Sequence, residues 1–158
     1  MATRSSTVRV LNKSTHGTHG LGARPNDFRR FASMDPISQG RTIRDGMDAI
    51  IAERVAKELL QIPLQTLLTG LGLPSSTILR KISRQERLSG AESDRIARVL
   101  YIHEQATDVF EDAGLAAEWM RRANATLGGM TPLEVLDTQP GYDRVRDILT
   151  RIAFGVAA

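Results

Sequence analysis

The chain has 158 residues, 41% hydrophobic and 25% charged, the composition of a folded protein built as one domain or two small helical units sharing a core. There is no cysteine, which excludes disulfides and thiolate metal sites and fits a reducing cytoplasm, the expected location. Aromatics are only 4%, so Leu, Ile, Val, Met and Ala must build the core, and no apolar run approaches the roughly 20 residues of a membrane helix. The net charge of +3 is unevenly spread: residues 1–62 hold ten Lys/Arg against six Asp/Glu, 63–102 six against three, and 103–158 five against nine. A basic front and an acidic rear predict two different partners, one of them a polyanion.

Taken in order, residues 1–41 read as a flexible basic arm, rich in Ser, Thr, Gly and Arg and poor in periodic apolar positions. Its His16 and His19 have no third ligand nearby and read as loop, so no metal is expected. From Gly46 the spacing of Met47, Ile50, Ile51, Val55 and Leu59 predicts one apolar face of a helix, with Asp45 as N-cap. Pro63 opens a short helix carrying Leu64, Leu67 and Leu68 that stops at Gly70 or Gly72. Pro74 to Thr77 opens a third, with Ile78, Leu79 and Ile82 expected inside. A polar, basic loop over 83–89 leads to Ser89-Gly90-Ala91-Glu92, which has the form of a capping box.

The long helix behind that box carries Ile96, Val99, Leu100, Val109 and Phe110 and is expected to end at Gly114. A further helix carries Leu115, Trp119 and Met120. Gly128-Gly129 breaks the chain, Thr131 caps a short helix and Pro140-Gly141 reads as a turn. The last helix has the cleanest period, Val145, Ile148, Leu149 and Ile152, with Gly155 as C-cap. No strand-like alternation appears, so the expected fold is all-α.

One pattern carries function. Leu64–Thr69, the turn Gly70-Leu71-Gly72-Leu73 and Pro74–Ile82 fill the three parts of a helix-turn-helix. Leu71 and Leu73 tuck the turn inward. The second helix would enter the major groove by its N-terminal end, where Ser75, Ser76 and Thr77 offer hydroxyls and Arg80, Lys81 and Arg84 reach bases or phosphates. The Gly-Leu-Gly turn is not a nucleotide loop, because no strand precedes it. One helix-turn-helix reads few bases, so a homodimer on operator DNA is expected, joined through the helix over 45–60 or that over 91–110.

Residues from about 42 onward resemble the Xre/MbcA/ParS-type antitoxins. The resemblance is carried by Trp119, Leu127, Gly128, Gly129, Pro132, Leu133, Val135, Leu136, Thr138, Gly141, Val145, Leu149, Arg151, Ile152, Gly155 and Val156, and upstream by Arg80, Arg87-Leu88-Ser89 and Asp94-Arg95. It implies a DNA-binding domain over 42–112 and a toxin-binding domain over 113–158. It also implies a RES-type, NAD-consuming partner toxin and repression of the shared operon. By themselves Trp119, Leu136 and Ile152 read as core, and Gly128, Gly129 and Gly141 as turn residues. An enzyme is not expected, with histidines only at 16, 19 and 103 and no cofactor motif. The alternative is a stand-alone regulator whose C-terminal helices serve dimerisation.

The end of the chain completes the reading. Arg151 and Phe154 fall off the apolar stripe of the last helix, and Gly155, Val156, Ala157 and Ala158 are small and uncharged. Phe154 has no obvious home in its own domain, and the expectation is that Arg151 to Ala158 enter or cover the toxin's NAD pocket.

Overall fold

The three-and-four spacing of the sequence is realised as eight α-helices among the described residues, 20–155 of a computed structural model. They are α1 (Asp27–Ser33), α2 (Pro36–Asp45), α3 (Ile50–Arg54), α4 (Leu64–Gly70), α5 (Ser75–Ser83), α6 (Gly90–Phe110), α7 (Ala113–Arg121) and α8 (Gln139–Ala153). Helix α3 runs on without a break as a π-helical segment, Val55–Leu60, and two 3₁₀ turns, Ala125–Leu127 and Leu133–Asp137, join α7 to α8. Among the described residues there is no strand, only an isolated bridge between Asp48 and Arg87. The all-α expectation holds. No helix among these residues is long and apolar enough to cross a membrane.

Helix α6 is the spine. Its start is the expected capping box: the Ser89 hydroxyl accepts from Glu92 N–H at 3.1 Å, and the Glu92 carboxylate accepts from Ser89 N–H at 2.7 Å. Ser93, Ile96, Ala97, Val99, Leu100, Ile102, His103 and Ala106 are buried along it, on more than one side, because α1, α2, α7 and α8 all pack against this helix. Ser93 is a buried polar group with a use, its Oγ accepting from Met47 N–H at 2.9 Å.

The segment before residue 42 corrects the reading of it as a flexible arm throughout. Residues 27–45 form α1 and α2, and Phe31 is buried with its ring 5.5 Å from that of Tyr101 on α6. The capping signal was present in the sequence: Asp35 accepts from the N–H groups of Ile37 and Ser38 at 3.0 Å each, and Pro36 sits at the first helical position. Composition hid it, because a helix this polar is held by contacts to α6 rather than by its own apolar stripe. Residues 1–19, with His16 and His19, lie outside the described residues.

Four smaller expectations are corrected. Asp45 ends α2 instead of capping α3; Gly46 follows with φ of 87°, and a Cβ there would collide with the Leu88 carbonyl. Gly114 does not end α6, which stops at Glu111 in the left-handed region; Asp112 caps α7 by accepting from Leu115 N–H at 2.8 Å. Pro140-Gly141 is no turn but the first turn of α8, capped by Thr138, whose hydroxyl accepts from Gly141 N–H at 3.2 Å. Leu79 is 49% exposed, since α5 is short and buries only Ile78 fully.

The N-terminal region also holds the one fully buried carboxylate, Asp27, among the described residues. Burial works against its charge, but N–H groups of Gly22 and Arg24 and the Arg30 guanidinium hold its carboxyl below the usual range. A depressed carboxyl pKa stabilises the fold above the unfolded value of about 4, and that contribution is lost as pH falls through the folded value. Asp27→Asn is expected to lower the melting temperature at pH 7 and to flatten its decline below about pH 4, as followed by circular dichroism.

Candidate functional site

Helices α4 and α5 meet through a turn built as the sequence suggested. Leu71 is fully buried and Leu73 is 6% exposed, while Gly72 adopts φ of 61°, a conformation cheap only without a β-carbon. The turn is held from below: Arg95 on α6 donates to the carbonyls of Leu71 and Gly72 at 3.0 and 2.9 Å. Between the helices, Gln65 Nε2 donates to Ser75 Oγ at 2.7 Å.

The outward side of α5 and its following loop carries Ser76, Leu79, Arg80 and Arg84, all exposed. Ser75 and Thr77 are half-buried, with Ser75 already engaged by Gln65. Lys81 points elsewhere: its ammonium lies 2.7 Å from the Glu92 carboxylate, with only 15% of its side chain exposed. The structure thus groups Ser76, Arg80 and Arg84 and assigns Lys81 to an ion pair. Leu79 joins that face although the sequence reading put it inside; the useful signal is that 78 and 82 share a face from which 79 is turned by about 100°.

The C-terminal motif is mostly architecture. Pro132, Leu133 and Leu136 are buried, and Leu133 packs under α4, where a Cβ on Gly70 would lie 3.5 Å from its Cγ. Thr131 and Glu134 form the expected cap, with Thr131 N–H donating to the carboxylate at 2.8 Å and Glu134 N–H to the hydroxyl at 3.2 Å. Trp119 is half-buried, 5.9 Å from the Phe110 ring, and Leu127 is half-buried beside the core. Gly128 and Gly129 have φ of 68° and 85° and open space around them. His103 is 8% exposed and faces the core; burial pushes its pKa down, and a backbone hydrogen bond at Ala113 opposes that.

At the end of α8 Val145, Ile148 and Leu149 are buried and Ile152 half-buried. Phe154 is 79% exposed, the most exposed large apolar side chain among the described residues. Arg151 Nε lies 2.9 Å from Asp147 Oδ2, exposed on both sides. Gly155 adopts φ of 67° as the expected terminator, and Val156, Ala157 and Ala158 lie outside the described residues.

Two family models match this chain: an antitoxin Xre-like helix-turn-helix domain over residues 38–101, and an antitoxin Xre/MbcA/ParS C-terminal toxin-binding domain over 105–155. The chain is also 30% identical over 125 residues to the antitoxin Xre of Yersinia enterocolitica, covering 77% of this chain and 84% of that one. It belongs to the Xre/MbcA/ParS-type antitoxin family.

Other family members align over different lengths. The antitoxin Xre of Pseudomonas putida is 36% identical over 83 residues, so this chain spans about half, 52%, of that relative. The Prs ADP-ribosylating antitoxin of a Sphingobium species is 24% identical over 157 residues, 94% of this chain and 98% of that one. The two family models meet inside α6, whereas the sequence reading divided the chain at 112, just past that helix.

The glycines of this antitoxin motif separate into two kinds. A Cβ on Gly141 would drive into the Val135 carbonyl, whereas at Gly128 the space is open and only the left-handed backbone disfavours a side chain. Gly141→Ala is expected to destabilise by about 3 kcal/mol or more, at or above the top of the usual overpacking range. Gly128→Ala is expected to lose only about 1 kcal/mol. Urea unfolding of both variants checks the contrast.

Proposed function

We propose that this antitoxin has two separable binding jobs: it occupies operator DNA as a homodimer through α5, and it blocks a RES-type, NAD-consuming toxin through its C-terminal domain. The observation that carries the reading is the outward face of Ser76, Leu79, Arg80 and Arg84 on a rigid helix-turn-helix, in one body with a domain matched to toxin binding. Arg80 supplies a forked donor for guanine edges, Leu79 an apolar surface for a thymine methyl, and Ser76 and Arg84 contacts to phosphate. Two α5 helices about 34 Å apart then read a pseudo-palindromic site, which gives repression of the operon. These roles are binding roles, and the protein acts without catalysis of its own.

On the toxin side the exposed Phe154 anchors the contact, and the small, uncharged residues after Gly155 occupy the NAD pocket. The half-buried Trp119 and the buried Pro132 and Leu136 hold the domain that presents them. The domain division at 112 is kept as a functional one, with DNA contacts before it and toxin contacts after it.

Two variants test the division of labour. Arg80→Ala with Arg84→Ala is expected to weaken promoter binding by about 2–4 kcal/mol while growth rescue against the co-expressed toxin persists. Deletion of Gly155 to Ala158 is expected to leave promoter binding within twofold and to release NAD consumption at least in part. A truncated protein that still protects cells and still stops NAD consumption would show that the tail is not the plug. Failure of any toxin to co-purify in fixed stoichiometry would instead favour a stand-alone regulator.

A further inference from the structure

Helix α6 carries a feature that neither candidate surface uses. Leu100, His103, Glu104 and Thr107 recur at spacings of three and four, so they share one face of the helix. With Phe28 and Phe31 of α1 and Leu59 of the π-helical segment they line a cavity of about 440 Å³. That is the size of a small-molecule site. Helical segments of the π type are rare and recur at functional sites, and this one puts Leu59 into the wall.

The polar groups of the cavity lack partners within the protein. His103 is 8% exposed, and its Nε2 is buried without a hydrogen-bond partner. Such an atom costs free energy until something binds it. Burial pushes the pKa of this ring down, so the ring is neutral at pH 7. A backbone hydrogen bond at Ala113 favours the protonated form, so the other nitrogen donates there and Nε2 is left as an acceptor. Thr107 donates its hydroxyl to the His103 carbonyl at 2.7 Å, which leaves its own oxygen to accept.

Two carboxylates line the cavity as well. Glu104 and Asp108 stand one helical turn apart, and neither makes an ion pair among the described residues. Burial and the Asp108 charge push the Glu104 carboxyl up, the response of an acid without a cation. Arg29 at the same cavity and Arg146 in an adjoining hollow pair with neither of them. The walls are aromatic: Phe28, and the rings of Phe31 and Tyr101 with centres 5.5 Å apart.

We propose that this cavity binds a small organic cation, an ammonium or guanidinium on an apolar body. It donates to His103 Nε2, sets its charge against Glu104 and Asp108, and lays its body on Phe28, Phe31 and Tyr101. A cation is favoured over an anion because Nε2, the Thr107 oxygen and two carboxylates accept, against the single guanidinium of Arg29. No lining residue belongs to α5 or α8, so an occupied cavity leaves both candidate surfaces uncovered. The ligand instead ties α1 to α6 and to Ala113 at the start of α7.

The test titrates the full chain with benzylammonium, and with benzyl alcohol as its neutral match, following melting temperature and the nitrogen resonances of the His103 ring. Benzylammonium is expected to bind with a dissociation constant of about 1 mM or tighter, and benzyl alcohol about 10-fold or more weakly. At about ten times that constant the melting temperature is expected to rise by about 3–6 °C, and the Nε2 resonance to move with saturation. Glu104→Gln/Asp108→Asn alters only exposed side chains and is expected to fold normally and lose about 10-fold in affinity. His103→Phe is expected to hold its melting temperature without ligand, since Nε2 bonds nothing in the protein, and to bind about 10-fold or more weakly. No saturable binding of benzylammonium by about 10 mM would overturn the site. Equal affinity for benzyl alcohol, or binding that both variants leave unchanged, would overturn it too.

Discussion

Glu92 stands where three parts of the chain meet. Its carboxylate receives the N–H of Ser89, which starts α6, and the ammonium of Lys81, which fixes α5 against that start. The Glu92 and Lys81 side chains are only 13% and 15% exposed, and although burial opposes the charge, the Lys81 and Ser89 contacts hold the Glu92 carboxyl below the usual range. Such a buried pair adds little net stability over an apolar pair, but losing one partner strands the other. Its effect is orientation. With α6 anchored there, Arg95 reaches the helix-turn-helix turn, and Arg98 donates to the Leu136 carbonyl at 3.0 Å one turn further along. Gln105, two turns beyond Arg98, donates towards α8 at Arg146 and Thr150. One helix therefore sets the position of both candidate surfaces.

The two halves matched by different family models are tied by more than their shared helix. Arg121 on α7 donates to the carbonyl of Leu60 at 3.0 Å, satisfying an acceptor freed where the π-helical segment ends. Leu133 packs against α4, and Asp137 lies next to Gly72 in the turn itself. Helix α6 runs unbroken from the side of the helix-turn-helix to that of the C-terminal helices and packs against α7 and α8.

Much of this was legible because helical periodicity reports directly on burial. Ile51, Val55, Ile96, Val99, Val145, Ile148 and Leu149 were all placed inside from spacing alone, and all are buried. The capping box at Ser89 and the cap at Thr131 were readable because a hydroxyl that accepts from an N–H three residues on is a local matter. What spacing could not supply was tertiary. Helices α1 and α2 are polar and depend on Phe31, Asp27 and the long reach of Arg54, none of which leaves a periodic trace. Lys81 looked like a DNA contact because sequence shows charge but not its partner eleven residues away. Gly141 looked like a turn because Pro-Gly is a common turn pair; here it lies in the first turn of α8, where the Val135 carbonyl leaves no room for a Cβ.

Through these contacts α6 makes the helix-turn-helix and the toxin-binding domain one cooperative unit. The chain has a single tryptophan, Trp119, which reports on the C-terminal side, and hydrogen exchange by mass spectrometry resolves the amides of α4 and α5 on the other. Urea unfolding followed by both is the most direct measurement. Coincident midpoints and one common opening free energy for α4–α5 and α7–α8 are expected. Helices α4 and α5 opening at lower urea while the Trp119 signal stays native would contradict it, and would make the two halves independent domains on a shared chain.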